Sequence, residues 1–279
     1  MEREVGANDA RFLVNEASGY SAAEWLDAAD VEAPERAETR LRAMTARRVA
    51  GEPLQYVLGS WSFRGLDLAI DQRVLIPRPE TEWVVEVALE EAQRLGLMRA
   101  KRRPALDRPT LAYLADLGTG SGAIALALER ELPEAEVWAT DVSDDALAVA
   151  RANVAGCAAT RVRLGAGSWF DALPDELRGH LTMIVSNPPY VAASELPDLP
   201  PEVAQYEPHT ALISGPSGLE ALAHLLAEAP GWLTNPGGLV CELAPHQAEA
   251  ACAQATGFSE VFVRDDLTGR PRVLVARLG

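Results

Sequence analysis

From residue 111 to the carboxyl end, short apolar runs alternate with stretches of helical periodicity, and that alternation leaves few folds open. Leu111 to Leu117, Glu136 to Asp141, Arg161 to Leu164, Leu181 to Ser186, Gly238 to Leu243 and Phe258 to Val263 read as strands. Between them Ser121 to Glu131, Ser143 to Val154, about residues 218–229 and about residues 246–256 read as helices, with Ser143 as a side-chain cap. Strands spaced by helices pair in parallel, so the pattern predicts an α/β fold: a mostly parallel sheet with helices on both faces. The last run, Arg272 to Leu278, follows the turn signal Thr268-Gly269-Arg270-Pro271 with no room for a crossover. It is predicted to be antiparallel.

The upstream part has a different grain. Residues 9–50 are helical in spacing, with Ser21 and Glu24 as a capping box and Pro34 in a first turn. From Gln55 to Ile70 the pattern becomes alternation around Gly59 and Gly65, which predicts a short hairpin. A proline-rich turn, Ile76-Pro77-Arg78-Pro79-Glu80-Thr81-Glu82, leads into a helix ending near Leu95, and Gly96 to Pro109 reads as an exposed basic loop. The 279 residues therefore divide into a helical unit over 1–53, a hairpin linker over 54–74 and a larger domain over 75–279.

Composition removes several kinds of chemistry. With 41 acidic against 25 basic residues, the surface as a whole repels nucleic acid, so no direct sequence-specific nucleic-acid partner is expected. Lys101 is the only lysine and stands among Arg99, Arg102 and Arg103, a solvated linker rather than a phosphate or Schiff-base site. Cys157, Cys241 and Cys252 are odd in number, far apart and without C-x-x-C spacing, as expected of reduced thiols. His180, His209, His224 and His246 are scattered, so no metal site is expected. There is no leader pattern and no apolar run of about 18 residues, and the reading is a cytoplasmic protein with no membrane partner, working as a monomer.

The chemistry gathers at strand ends. Asp116-Leu117-Gly118-Thr119-Gly120-Ser121-Gly122 closes the first strand of the larger domain and opens a helix, where open parallel sheets bind ligands. Gly118 permits a tight turn, Gly120 a close approach of the ligand to the backbone, and Gly122 removes a Cβ from the helix start. One residue, not two, separates the second and third glycines, which favours S-adenosylmethionine over a dinucleotide. Asp141 ends the second strand, 23 residues after Gly118, where a carboxylate can accept from both ribose hydroxyls. The alternative for Asp141 is a cap on the following helix.

Asn187-Pro188-Pro189-Tyr190 follows the strand ending at Ser186, at the same sheet edge as the glycine loop. Two prolines fix the backbone and withdraw two N–H donors, leaving carbonyl acceptors. The Asn187 side-chain oxygen and the Pro188 carbonyl can each take one N–H of a planar NH2 group, with the Tyr190 ring against its flat face. Such a trap orients an amide nitrogen toward a sulfonium methyl, and orientation alone can be worth roughly 7–11 kcal/mol. No general base is needed before attack, and no G-x-S-x-G elbow suggests a hydrolase.

These motifs resemble those of the glutamine N5-methyltransferases that modify peptide chain release factors, over nearly the whole chain. The likeness also takes in Gly51-Glu52-Pro53 with Gly59, Leu75 to Glu82, Glu202-Val203 with Glu207-Pro208, and Asp266-Leu267 with Gly269-Arg270. It implies a small helical amino-terminal domain, a hairpin linker and a seven-stranded class I S-adenosylmethionine methyltransferase domain with an antiparallel last strand. It also implies a substrate, the glutamine of a Gly-Gly-Gln tip in release factors. Cofactor contacts would come from Gly118, Thr119, Gly120, Ser121, Gly122, Asp141, Trp169 and Asn187, and substrate contacts from Asn187 to Tyr190. Ala244 stands where the family usually has glycine, and the amino-terminal segment is slightly short. Alternatives are a glutamine of a ribosomal protein, adenine N6 or cytosine N4 of a nucleic acid, which present the same flat NH2, and a binding module without catalysis.

Overall fold

The computed structural model describes residues 2–20, 24, 32–97 and 112–279. Ser21, on which the expected capping box depends, Leu111 and the basic stretch around Lys101 lie outside the described residues. Helices α1 (Ala7–Ser18), α2 (Glu35–Val49) and α3 (Leu54–Leu58) pack around Leu13, Ala17, Met44, Leu54 and Val57. Pro34 is the residue preceding α2 rather than part of its first turn.

The hairpin is shorter than its alternation suggested. Gln55 to Leu58 are helical because Gly59, at φ 80°, closes α3 by donating its N–H to the Gln55 carbonyl. Only then do β1 (Ser60–Phe63) and β2 (Leu66–Ala69) pair, joined by Arg64-Gly65. Both turn residues have positive φ, 47° and 72°, the geometry that matches strand twist in two-residue hairpins. For Arg64 that conformation costs about 1–2 kcal/mol. Hydrogen bonding offsets it: its N–H donates to Glu82 (2.8 Å), and its guanidinium reaches Glu86 and Glu131 (3.1 Å each). The turn is thereby braced against α4 (Pro79–Arg94) and the helix α5 (Ala123–Glu131).

The larger unit is built on β3 (Ala112–Leu117), β4 (Ala135–Asp141), β5 (Val162–Ala166), β6 (Leu181–Ser186), β9 (Leu233–Glu242), β10 (Glu260–Asp265) and β11 (Pro271–Leu278). They form one seven-stranded sheet in the order β10-β11-β9-β6-β3-β4-β5. The terminal strand β11 is antiparallel to both neighbours, as expected, and is inserted between β9 and β10. Two buried clusters, one around Leu114, Val137 and Val240 and the other around Leu117, Ile184 and Trp232, cover the sheet. The helix read from Ser121 begins at Ala123, since Gly122 is left-handed at φ 85°. The helix α6 (Asp144–Gly156) does take Ser143 as its cap, with Ser143 Oγ accepting from the Ala146 N–H at 3.1 Å. A two-stranded pair absent from the sequence reading, β7 (Val191–Ala192) with β8 (Ile213–Gly215), follows the Asn-Pro-Pro-Tyr segment.

The chain lays down β3, β4 and β5 toward one edge, then returns with β6 on the other side of β3. Between β3 and β6 the winding direction reverses, which is where open α/β sheets hold ligands. Ser186 Oγ donates to the Leu117 carbonyl at 2.6 Å and ties the two strand ends together.

Candidate active site

The glycine turn owes its shape to what surrounds it. Gly118, Gly120 and Gly122 all have positive φ (76°, 55° and 85°), so backbone conformation, more than crowding, demands glycine. A Cβ on Gly120 would meet nothing within 4 Å, and Gly120 lines a cavity at this end of the sheet. Asp141 orders the turn from the neighbouring strand: its Oδ2 accepts from the Gly120 N–H and its Oδ1 from the Ser143 N–H, both at 2.9 Å. The helix cap is Ser143, and Asp141 bonds the N–H of that cap residue rather than one in the first helical turn. Each oxygen retains acceptor capacity, and Asp141 lines the cavity. Burial pushes the Asp141 carboxyl upward, while the N–H groups of Ser143, Gly120 and Val142 hold it down.

Gly118, Gly120, Asp141, Trp169 and Asn187 line this cavity. Thr119, Ser121 and Gly122 do not. Thr119 and Ser121 are buried, and Thr119 Oγ1 donates to Asp116 Oδ2 at 2.6 Å, which fixes the floor of the turn. Asp116 is fully buried and its pKa is pushed up to about 7 by desolvation, against the hydrogen bonds of Thr119 and Ala125. Trp169 has φ 49°, rare for a non-glycine residue, and its ring lies 3.6 Å from where a Gly118 Cβ would stand. Exposed Val142 and Ser168 complete the rim beside the carboxylate.

A second cavity opens on the other side of Asn187, bounded by Leu75, Arg78, Pro188, Tyr190, Val203 and Leu212. Leu75, Asn187 and Ala211 border both cavities. The four residues Asn187 to Tyr190 are therefore divided, with Pro189 on the first cavity, Pro188 and Tyr190 on the second, and Asn187 in the partition. Burial, with the Glu242 charge adding to it, raises the Tyr190 hydroxyl to about 12, so it stays protonated. Gln247 Nε2 donates to the Tyr190 carbonyl at 2.9 Å and holds the segment from behind.

Several residues that hold the lining in place escaped the sequence reading of the site. Glu207, buried, accepts from the Ile76 N–H at 3.3 Å and pairs with Arg78, clamping the proline-rich turn over both cavities. Burial raises the Glu207 carboxyl, and the Arg78 charge opposes the rise. Thr81 of α4 accepts from the Asn187 side chain and donates in turn to Glu242 of β9. The motif stretches containing Glu207 and Thr81 were visible, but a single sequence gives no sign that segments over 100 residues apart meet.

The Methyltransferase small domain family matches residues 104–199, from before the glycine turn to beyond Tyr190, and the PrmC N-terminal domain family matches residues 2–59. The chain is 44% identical over 268 residues to the release factor glutamine methyltransferase of Bordetella pertussis, covering 95% of this chain and 92% of the relative. It is 41% identical over 241 residues to that of Geobacter sulfurreducens, covering 85% and 78%. The chain belongs to the release factor glutamine methyltransferase family. The fold alone is shared with a methyltransferase from Pyrococcus furiosus, at a TM-score of 0.52 and 18% identity over 87% of this chain and 98% of that one.

Within the family pattern, Ala244 proves a mild departure. Its φ of −74° and ψ of 144° suit any residue, and its N–H is met by Gln247 Oε1 at 3.2 Å. Among the described residues no helix is long and apolar enough to cross a membrane, and no His/Cys/Asp/Glu group is placed to hold a metal ion.

Proposed function

We propose that this chain transfers the methyl group of S-adenosylmethionine to the side-chain amide nitrogen, N5, of the glutamine in the Gly-Gly-Gln tip of peptide chain release factors. The observation that carries the reading is the position of Asn187 in a partition between two cavities, one floored by the glycine turn and Asp141, the other walled by Pro188 and Tyr190. The first cavity fits S-adenosylmethionine: a carboxylate with free lone pairs for a ribose, an apolar rim at Val142, and open backbone at Gly120. When bound, that cofactor supplies an already activated methyl group.

The protein's own part is to orient the acceptor. A glutamine amide is planar and its nitrogen is a poor nucleophile, so presenting it in line matters more than removing a proton beforehand. The Asn187 oxygen and the Pro188 carbonyl accept its two N–H groups, and the Tyr190 ring and Leu75 limit rotation and exclude water. Residues 1–53, held to the larger unit through the linker 54–74, are assigned to receiving the release factor, and residues 75–279 to the chemistry.

The test is transfer of radiolabelled methyl from S-adenosylmethionine to purified release factor, beside its Gln→Ala tip variant and duplex DNA. Label on the intact factor alone, abolished by Asn187→Ala, is the expected result. Label on DNA, or equal label on the tip variant, would refute the substrate assignment.

A further inference from the structure

An asparagine amide can stand either way round, and only one way serves an NH2 acceptor: the oxygen must face it, since an NH2 facing an NH2 repels it. Nothing in the Asn-Pro-Pro-Tyr segment itself decides between the two. The decision is made by residues outside the motif. We propose that Thr81 and Glu242 form a positioning relay that fixes the orientation of the Asn187 side-chain amide, so that its oxygen is presented to the acceptor. The inference rests on the amide-acceptor reading above and deepens it.

Asn187 Nδ2 donates to Thr81 Oγ1 at 3.0 Å, and Thr81 Oγ1 donates to Glu242 Oε2 at 2.8 Å. Thr81 is 4% exposed and Glu242 1%. A hydroxyl has one proton, and an ionised carboxylate has none. The Thr81 proton is therefore committed to Glu242, and what Thr81 turns toward Asn187 is a lone pair, which accepts an N–H and repels an oxygen. Turning the amide over would break the Asn187 bond and set two oxygens against each other in a buried site, where unpaired polar groups are costly. The hydrogen-bond polarity runs one way, from the active-site amide to the buried carboxylate.

The fold supplies the geometry. Asn187 follows β6, Glu242 ends the adjacent strand β9, with Ser186 paired to Cys241, and Thr81 lies in the first turn of α4 across both strand ends. The groups facing Glu242 are Thr81 and Glu80 of α4, Arg272 of β11 and Tyr190. Burial, with the Glu80 charge adding to it, raises its pKa to about 7, against the Thr81 hydrogen bond, the Arg272 charge and the Tyr190 hydroxyl, which favour the charged form. A neutral carboxyl can donate to Thr81 as well as accept, so the polarity of the chain is fixed on the alkaline side of that value and lost on the acid side.

The test compares Thr81→Val, which keeps shape but removes the hydroxyl, with Thr81→Ser, which keeps the hydroxyl. Thr81→Val is expected to lower kcat for the release factor by about 10- to 100-fold, the scale of a misplaced reacting group. The Kd for S-adenosylmethionine, measured calorimetrically, should stay unchanged and confirm an intact fold. Thr81→Ser should regain most of the lost rate. The wild-type kcat should fall below about pH 7, and that limb should vanish in Glu242→Gln. Exchange of the Asn187 side-chain NH2 protons, followed by NMR without any substrate, should be slow in the wild type and faster in Thr81→Val. Wild-type kcat in Thr81→Val, a Thr81→Ser variant as slow as Thr81→Val, or equal NH2 exchange would overturn the relay. A wild type that leaves the release factor unlabelled would overturn the substrate reading instead, and the NH2 exchange would still decide the relay.

Discussion

Asp141 holds the Gly120 turn and the Ser143 N–H that precedes α6, and it also lines the first cavity. Hydrogen bonds to a charged group are worth about 1.5–3 kcal/mol, so Asp141→Ala should weaken S-adenosylmethionine about 10- to 150-fold by calorimetry. Asp116 has the opposite character. It is fully buried, Oδ2 serves Thr119 and Ala125, and Oδ1 has no partner among the described residues. Its folded pKa, about 7, lies above the ordinary 3.8, so the folded state binds the proton more tightly than the unfolded one. Its contribution to stability is present at low pH and is lost as pH rises through about 7. Asp116→Asn, whose oxygen can still accept both bonds, should therefore melt higher than the wild type at pH 8. The advantage should shrink at pH 5, which paired thermal melts would establish.

At the scale of elements, the strands and helices after residue 111 were legible because period and turn residues agreed, and the sheet edge followed from them. The cofactor contact expected of Trp169 and the release-factor substrate came instead through family likeness. Gln55 to Leu58 misled because Leu54, Tyr56 and Val57 are buried on a single helical turn, too short to show its period. The pair β7 and β8 was invisible, since strands of two and three residues carry no pattern. That pair matters to the site through Gly218, at φ 80°, where a Cβ would stand 2.6 Å from the Tyr190 carbonyl and 3.0 Å from Gln247 Nε2. Gly218→Ala should displace Tyr190 and cut kcat for the release factor at least about tenfold, as small misplacements near a reacting group do. The Kd for S-adenosylmethionine should change little, and the two measurements together localise the damage to the acceptor side.

On the scale of the whole molecule, the helical unit is tied to the catalytic one rather than loosely appended. Arg48 of α2 bonds Asp9 at 2.7 Å and Glu202 at 3.2 Å, and the Tyr206 hydroxyl donates to the Ala50 carbonyl at 3.0 Å. The Arg48–Asp9 pair is only partly exposed and Arg48 also donates to the Glu52 carbonyl at 3.1 Å, so Arg48→Ala should lower melting modestly. It should also raise KM for the intact release factor while leaving methylation of a short Gly-Gly-Gln peptide unchanged, as parallel initial-rate assays would reveal.

Leu75, Asn187 and Ala211 belong to both cavities, so neither ligand can press on its wall without altering the other's. Thermodynamic linkage makes that influence reciprocal: whatever factor the cofactor adds to the hold on the glutamine, the glutamine returns to the cofactor. On the proposed reaction the methyl group leaves the ligand on one side of this shared wall and joins the one on the other, so the affinity of each product should depend on whether the other is still bound.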